Sequence, residues 1–267
     1  MKSLGAALSA LALVLVLAAC GGGSGGDAQD VLAETAANMG EIRSGDLDME
    51  LLVATKDDER AGFTLQGPFA LREGELPEAQ FDYTQIAGPE TATQTFIMKA
   101  DRAYVRIAGT TYELPPETAD EIGSALGTSG GLAAIQLASW VENPTLEDGE
   151  EIAGDETDRI SADLNVSATV NTLVAIASQL GGTEPLAALA GPSAEQVEAA
   201  IEDATIDVWT GKGDRLLRRL QVSIDFAPAA EKVKDLLGAS LDFRLELSSP
   251  NQPVIVEQPT DAQPFSP

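Results

Sequence analysis

The chain has 267 residues, with 16 basic against 43 acidic side chains and a net charge of −27. Such a balance repels nucleic acid and anionic headgroups, and no basic groove is visible along the sequence. Histidine is absent, which removes Ser-His-Asp and Cys-His catalysis, imidazole acid–base chemistry and His-ligated zinc together.

An enzyme built from what remains would depend on carboxylates, Lys, Tyr or Ser. Acid pairs such as Asp57 and Asp58, Glu150 and Glu151, or Glu202 and Asp203 arise by chance among 43 acids. A glycosidase would use two carboxylates and aromatic sugar platforms, and the chain holds only seven Phe, three Tyr and two Trp. No glycine-rich phosphate loop and no calcium loop occurs. The reading is therefore of a protein that is not an enzyme, with no catalytic residue, no metal site and no cofactor.

The first elements are at the N-terminus. Lys2 precedes an apolar run from Leu4 to Leu17 that ends in Ala18 and Ala19, the layout of a secretory signal. The run is about fifteen residues, short of the roughly 20 that span a bilayer. Cys20 is the only cysteine, so an internal disulfide is excluded. Leu17-Ala18-Ala19-Cys20 resembles the bacterial lipobox, which implies that residues 1–19 are removed and that Cys20 is acylated. Losing Lys2 leaves 15 basic residues and a net charge of −28. Residues 20–27, mostly Gly and Ser, read as a tether.

About 230 residues then remain, enough for one domain with a sizeable core. Ala28 to Met39 has helical spacing, with Gly40 as a stop. Period-two alternation takes over in Asp46 to Val53, and short strands are expected at Phe63–Leu71, Ala79–Ile86, Thr91–Met98, Arg102–Ile107 and Thr111–Leu114. Turn residues such as Gly88-Pro89 separate them as in a hairpin meander. Helices are expected at Glu117–Leu126 and Leu132–Val141. A weak extended stretch carries Ile160, Ala162, Leu164 and Val166.

Ser167 to Leu180 is a helix apolar on more than half its circumference, which implies burial on several sides. Ser193-Ala194-Glu195-Gln196 is a capping-box pattern, predicting a helix to about Asp203. Strand pattern returns at Ile206 and Val208, at Leu220 to Phe226, and at Leu241 to Leu247. Prolines punctuate residues 257–267, a tail with no regular structure expected. The sum is α+β: an antiparallel sheet of nine or ten strands, strongly curved, with one apolar face covered by helices.

The lipobox, this order of elements, and the late hairpin TIDVWTGKGDRLLRRLQVSIDF resemble the actinobacterial LppX/LprA/LprF/LprG lipoproteins, which share a fold with the LolA/LolB lipoprotein carriers. The resemblance covers most of residues 28–256. It implies a half-barrel sheet covering central helices around a hydrophobic cavity that takes acylated lipids or lipoglycans, and a role in their transfer across the cell envelope with an envelope transporter as a possible partner. It also implies a cell-membrane location, lipid-anchored on the outer, extracytoplasmic face. The candidate cavity residues are Met49, Leu51, Phe63, Phe96, Met98, Leu173, Ile176, Val208, Ile224 and Phe243. Adaptable aliphatic and methionine side chains suit acyl chains, and an ordinary close-packed core would use the same residues. Two further readings stay open: an envelope interaction lipoprotein with a filled core and no cargo, and a carboxylate hydrolase. Arg215, Arg218 and Arg219 are either a headgroup site at the cavity mouth or ion pairs on a solvated hairpin. Trp140 and Trp209 read as core or rim.

Overall fold

A computed structural model describes residues 25–54, 59–72, 75–126, 135–179, 199–227 and 238–265. The signal, Cys20, most of the tether and the capping box at 193–196 lie outside the described residues. Helix α1 (Gly25–Asn38) begins inside the stretch read as tether and ends in a 3-10 turn, Met39–Glu41. Six strands follow as a meander: β1 (Ser44–Ala54), β2 (Arg60–Ala70), β3 (Glu78–Ala87), β4 (Glu90–Lys99), β5 (Arg102–Ile107) and β6 (Thr110–Glu113). Then come α2 (Pro116–Leu126), α3 (Leu137–Trp140), β7 (Val141–Asp148), β8 (Thr157–Leu164) and α4 (Val166–Gln179). The chain finishes with β9 (Ile201–Gly211), β10 (Leu217–Phe226), β11 (Ser240–Ser248) and β12 (Gln263–Pro264).

The twelve strands among the described residues form one sheet, in the order β12-β6-β5-β4-β3-β2-β1-β11-β10-β9-β8-β7. Two meanders, β1 to β6 and β7 to β11, meet where β1 pairs β11 antiparallel. The sheet curves without closing, leaving β7 and the short β12 at its edges. Every pairing is antiparallel except β12 with β6. Strand β2 carries Pro68, which has no N–H to give a ladder, and pairing with β3 lapses between Gln66 and Phe69. Gly67 beside it has φ +140°, and a Cβ there would meet the Gln80 carbonyl oxygen at 2.0 Å, so the residue must be glycine.

Three expectations require correction, the first being the strand number, twelve among the described residues rather than nine or ten. Of the helix expected at Leu132–Val141, the described part, 135–141, is helical only over Leu137–Trp140, and Val141 opens β7. Strand β7 escapes the alternation test because its register shifts between Glu142 and Thr145, with Asn143 at φ +51°. The bulge makes Val141, Pro144 and Leu146 the inward residues, a spacing of three then two. Likewise, residues 201–203 are the start of β9 rather than the end of a helix, with Ile201 opposite Phe226 and Asp203 opposite Asp225.

The C-terminal segment is an ordered strap. Asn251 accepts the Arg43 N–H through Oδ1 at 2.7 Å, and Ser44 Oγ donates to the Gln252 carbonyl. The strap then crosses the outer face of the β1–β6 meander, where Val256 packs on Ile97 and Tyr104 and the amide of Gln258 donates to the Tyr104 hydroxyl. It ends along β6, with Phe265 edge-on to Tyr112 at 6.1 Å.

Candidate functional site

Because successive strand side chains alternate in direction, the register decides which of them share a face. Met49 and Leu51 on β1 lie opposite Leu245 and Phe243 on β11, and Leu65 and Phe63 on β2. Val222 faces Phe243, Ile224 faces Leu241, and Val208 faces Leu220. On the other side Tyr83 sits opposite Leu65, Phe96 opposite Phe81, and Met98 opposite Ala79. The eight candidate cavity residues on strands therefore point to one side of the sheet. Leu173 and Ile176 on α4 join the same apolar cluster. Nine of the ten are buried, and Phe96 is half-buried.

This inner face is apolar throughout β1 from Leu47 to Val53, β10 from Leu220 to Phe226, and β11. Its aromatic part is a short stack: Phe63 and Tyr83 at 5.8 Å, then Tyr83 and Phe96 edge-on at 6.3 Å. Burial raises the Tyr83 phenol above its ordinary pKa, so it stays neutral. Trp140 is fully buried and edge-on to Phe243 at 6.3 Å. Its indole N–H is, among the described residues, the one buried side-chain polar atom without a partner.

The two ends of the face differ. At the lower end, where β1 begins, Met39, Ile42, Leu76 and Ala119 close it, and α2 lies so near that a Cβ on Gly123 would meet Leu76. At the upper end, Gln85 and Ala87 at the end of β3, Glu90 to Thr93 at the start of β4, and Arg106 and Ile107 at the end of β5 are exposed. Gln85, Ala92 and Ile107 point inward there, and Ile107 is 42 % accessible. Apolar inner surface thus meets solvent at the upper ends of β3 to β5. Separately, a cleft of about 630 Å³ opens at the upper ends of β9 to β11, lined by Glu202, Asp203, Asp225, Phe226 and Ser240.

The arginines are committed to ion pairs. Arg218, 4 % exposed, donates to Asp155 Oδ2 and Asp214 Oδ2, each at 2.8 Å, and to the Leu216 carbonyl at 3.1 Å. Arg215 pairs with Asp158 and Glu34, and Arg219 with Glu246 and Glu150. Trp209 is clamped between Arg159 and Arg219, whose guanidinium carbons stand 5.3 and 5.2 Å from its ring centroid. The structure therefore favours the ion-pair reading of this cluster. No group of three acidic or Cys side chains capable of holding a metal occurs among the described residues, and no described helix is long and apolar enough to cross a membrane.

Ionisable groups act in the same structural way. Lys99, hydrogen-bonded to Glu78, holds that carboxyl below its ordinary range against the opposing effect of burial. For Asp214, burial pushes upward but is outweighed by the Arg218 and Leu216 N–H donors, so its pKa falls. Neither carboxylate lies on the apolar face.

No protein-family model matches the chain, and no curated protein matches it significantly. Among solved structures, LprF from Mycobacterium bovis matches with 16 % identity over 90 % of this chain and 99 % of that one, at a TM-score of 0.56. A putative outer membrane lipoprotein-sorting protein domain from Vibrio parahaemolyticus matches with 9 % identity over 85 % and 94 %, but its TM-score of 0.23 is too low to carry an argument. An unclosed, curved sheet of two joined meanders, with helices on its apolar side, is thus the fold this chain shares with LprF.

Proposed function

We propose that this chain is a membrane-anchored lipoprotein that binds acylated lipids or lipoglycans on the inner face of its sheet and helps transfer them across the cell envelope. The observation that carries the reading is the inner face itself. It is apolar from β4 across to β9, is capped at the lower end, and opens to solvent at the upper ends of β3 to β5. Acyl chains gain about 0.8 kcal/mol per buried methylene on such a surface, and Met49 and Met98 adapt to their shape. The shared fold with LprF and the lipobox-like Leu17 to Cys20 support the same reading. Cys20 then carries the acyl group and holds the protein on the extracytoplasmic side of the cell membrane, where an envelope transporter is the possible partner. The chain acts by binding, not by catalysis.

The competing reading, an interaction lipoprotein with a filled core, is favoured by one observation. Leu51, Phe63, Met98, Leu173, Val208, Ile224 and Phe243 are each at most 2 % exposed, so cargo can enter only if the helices part from the sheet. Native mass spectrometry of the soluble form lacking Cys20 separates the two. Co-purified lipid that is lost on organic extraction and regained from vesicles supports a carrier. A single apo mass under both conditions leaves the filled core.

A further inference from the structure

We infer that the indole N–H of Trp140 is a polar contact within the apolar face, and that it donates to the carbonyl oxygen of an acyl ester. The inference rests on the carrier reading and adds to it a residue and the chemical group which that residue recognises.

Trp140 closes α3, one residue before β7 begins. The Asn165 N–H donates to its carbonyl oxygen at 2.8 Å, and Asn165 Oδ1 accepts the Ala168 N–H in the first turn of α4. The Trp140 backbone is thereby fixed at the root of the helix that carries Leu173 and Ile176 into the apolar cluster. Its ring meets Phe243 on β11, the fourth strand from β7 in the sheet. Four strand spacings are about 19 Å along the sheet, so the contact exists because α3 lies inside the curve. Leu51 stands opposite Phe243, Phe63 stands opposite Leu51, and Tyr83 stacks on Phe63. Trp140 thus stands at one end of an apolar row that runs about 14 Å from β11 to β3.

The side chain is fully buried and its N–H has no partner. Such donors are rare, because burial strips their hydration and only an acceptor restores it. The edge-on contact with Phe243 offers the face of a ring, a weak substitute. A bound water would need two or more polar partners, and the described side chains here supply one.

The chemistry of the missing acceptor follows by elimination. It must accept without donating: among the described residues no other buried side-chain polar atom stands unpaired, so a hydroxyl or amide proton would find no side-chain acceptor. It must be neutral, because a buried anion needs a cation, and the buried Arg218 is already held by Asp155 and Asp214. It must be joined to hydrocarbon, because the row beside it is apolar. An acyl ester carbonyl meets all three conditions, whereas an ether oxygen is a poorer acceptor. The ester then lies at Trp140 and its acyl chain runs along Phe243, Leu51 and Phe63.

The test uses residues 20–267 with Cys20→Ser, which removes the acyl anchor and keeps every described residue. Delipidated protein is equilibrated with vesicles of equal parts dipalmitoyl phosphatidylcholine and its dihexadecyl ether counterpart, and bound lipid is read by native mass spectrometry. The two lipids differ only in their ester carbonyls. One neutral hydrogen bond corresponds to about fivefold in affinity, so the parent should hold roughly five ester lipids for each ether lipid. Trp140→Phe keeps an aromatic ring and loses the N–H, and its ratio should fall to about one. A ratio within one sample does not depend on how much of the variant folds. Nitrogen–proton spectra of the indoles follow the N–H of the parent directly, with Trp209→Phe assigning the second resonance. The Trp140 proton should move downfield with the ester lipid alone, while Trp209, of opposite parity to Val208 on β9, should not. Equal uptake of both lipids by the parent, an ester preference that survives Trp140→Phe, or an unmoved Trp140 proton in ester-loaded protein overturns the inference while the carrier stands. A parent that takes up neither lipid overturns the carrier reading, and the inference falls with it.

Discussion

The hydroxyl oxygens of Thr35 and Thr210 lie 2.9 Å apart with both side chains fully buried, and this pair fixes α1 to the lower end of the sheet. Thr35 Oγ1 also lies 2.8 Å from the Val31 carbonyl oxygen, and Thr210 Oγ1 3.4 Å from that of Leu216. Two hydroxyls and two carbonyls thus share two protons. Thr35→Val leaves Thr210 only the longer contact, and the expected cost is about 1–2 kcal/mol. Thr210→Val should cost a similar amount. The double variant should lose about 1 kcal/mol less than the sum, because neither hydroxyl is then stranded. Urea unfolding of the four proteins reads the coupling, and strict additivity would show that the pair does not interact.

The arginines of the β9–β10 hairpin should matter for stability and not for anions. Arg218 is 4 % exposed and has three acceptors, two of them carboxylates about half accessible to solvent. Replacing it with Met keeps the stem and strands Asp155 and Asp214, for an expected loss of about 2–3 kcal/mol after allowing for their solvation. Binding of the soluble protein to anionic vesicles should not change. A loss of vesicle binding with stability intact would return the headgroup reading.

The sequence made one half of the sheet plain and hid parts of the other. Strands β1 to β3, β10 and β11 show clean alternation, since one face is apolar core and the other is largely polar, as Leu47, Met49 and Leu51 against Asp46, Asp48 and Glu50 illustrate. Strand β7 was hidden because its bulge at Asn143 breaks the period and its edge position tolerates Pro144. The strap was hidden for another reason: its contacts are made by Val256, Gln258 and Phe265, spaced too irregularly for any period and meaningful only against Ile97, Tyr104 and Tyr112. The candidate face was legible because a shared strand face follows from parity alone. Its closed and open ends were not, because they depend on how far α2 and the turns extend over it. The pairing of the arginines was also beyond sequence, since Asp155, Glu150 and Glu246 are distant along the chain.

Acid should be the protein's weak condition. Glu78 and Asp214 have folded pKa values below their ordinary 4.5 and 3.8. Their stabilising contribution is therefore complete above those values and is lost as pH falls through the lower folded ones. With no histidine in the chain, no side chain of ordinary pKa titrates between pH 5 and 8. Thermal melts should stay flat from about pH 8 to 5 and decline below about 4.5. Glu78→Gln should melt lower than the parent at neutral pH and converge with it in acid. A variant whose deficit persists unchanged at the lowest pH would show that the Lys99 pair carries none of the acid sensitivity.

The strap should be held by Val256 more than by its two-residue strand. Val256 is 3 % exposed against Ile97 and Tyr104, both nearly inaccessible, whereas β12 contributes only two residues of parallel pairing. Val256→Ala removes two methyl groups for about 1.5 kcal/mol. The neighbouring Ile255, 86 % exposed, should tolerate Ala with a change within about 0.5 kcal/mol. Hydrogen exchange at Phe265, whose N–H bonds to the Glu113 carbonyl at 3.0 Å, should quicken in the first variant and not in the second. Equal effects would mean that the segment is held elsewhere.

The decisive measurement on function enlarges the inner face. Leu51, Met98 and Ile176 are 2 %, 1 % and 9 % exposed, on two strands of the sheet and on the helix that covers it. If the face parts from its helices to admit acyl chains, a Trp at any of these positions occupies that space. The lipid-free protein then keeps most of its stability, because the helices shift as they do for cargo, and lipid occupancy falls. Excluding four methylenes alone removes about 3 kcal/mol of cargo binding, more than a hundredfold in retention. In a filled core the same changes overpack, at about 1–3 kcal/mol each, with no lipid in the parent to lose. Thermal melts of delipidated protein are to be paired with mass-spectrometric lipid occupancy for Leu51→Trp, Met98→Trp and Ile176→Trp. Small stability changes with lost lipid establish the carrier. Large destabilisation in all three, with a parent that never holds lipid, establishes a packed core, and the protein is then an interaction lipoprotein built on a carrier's fold.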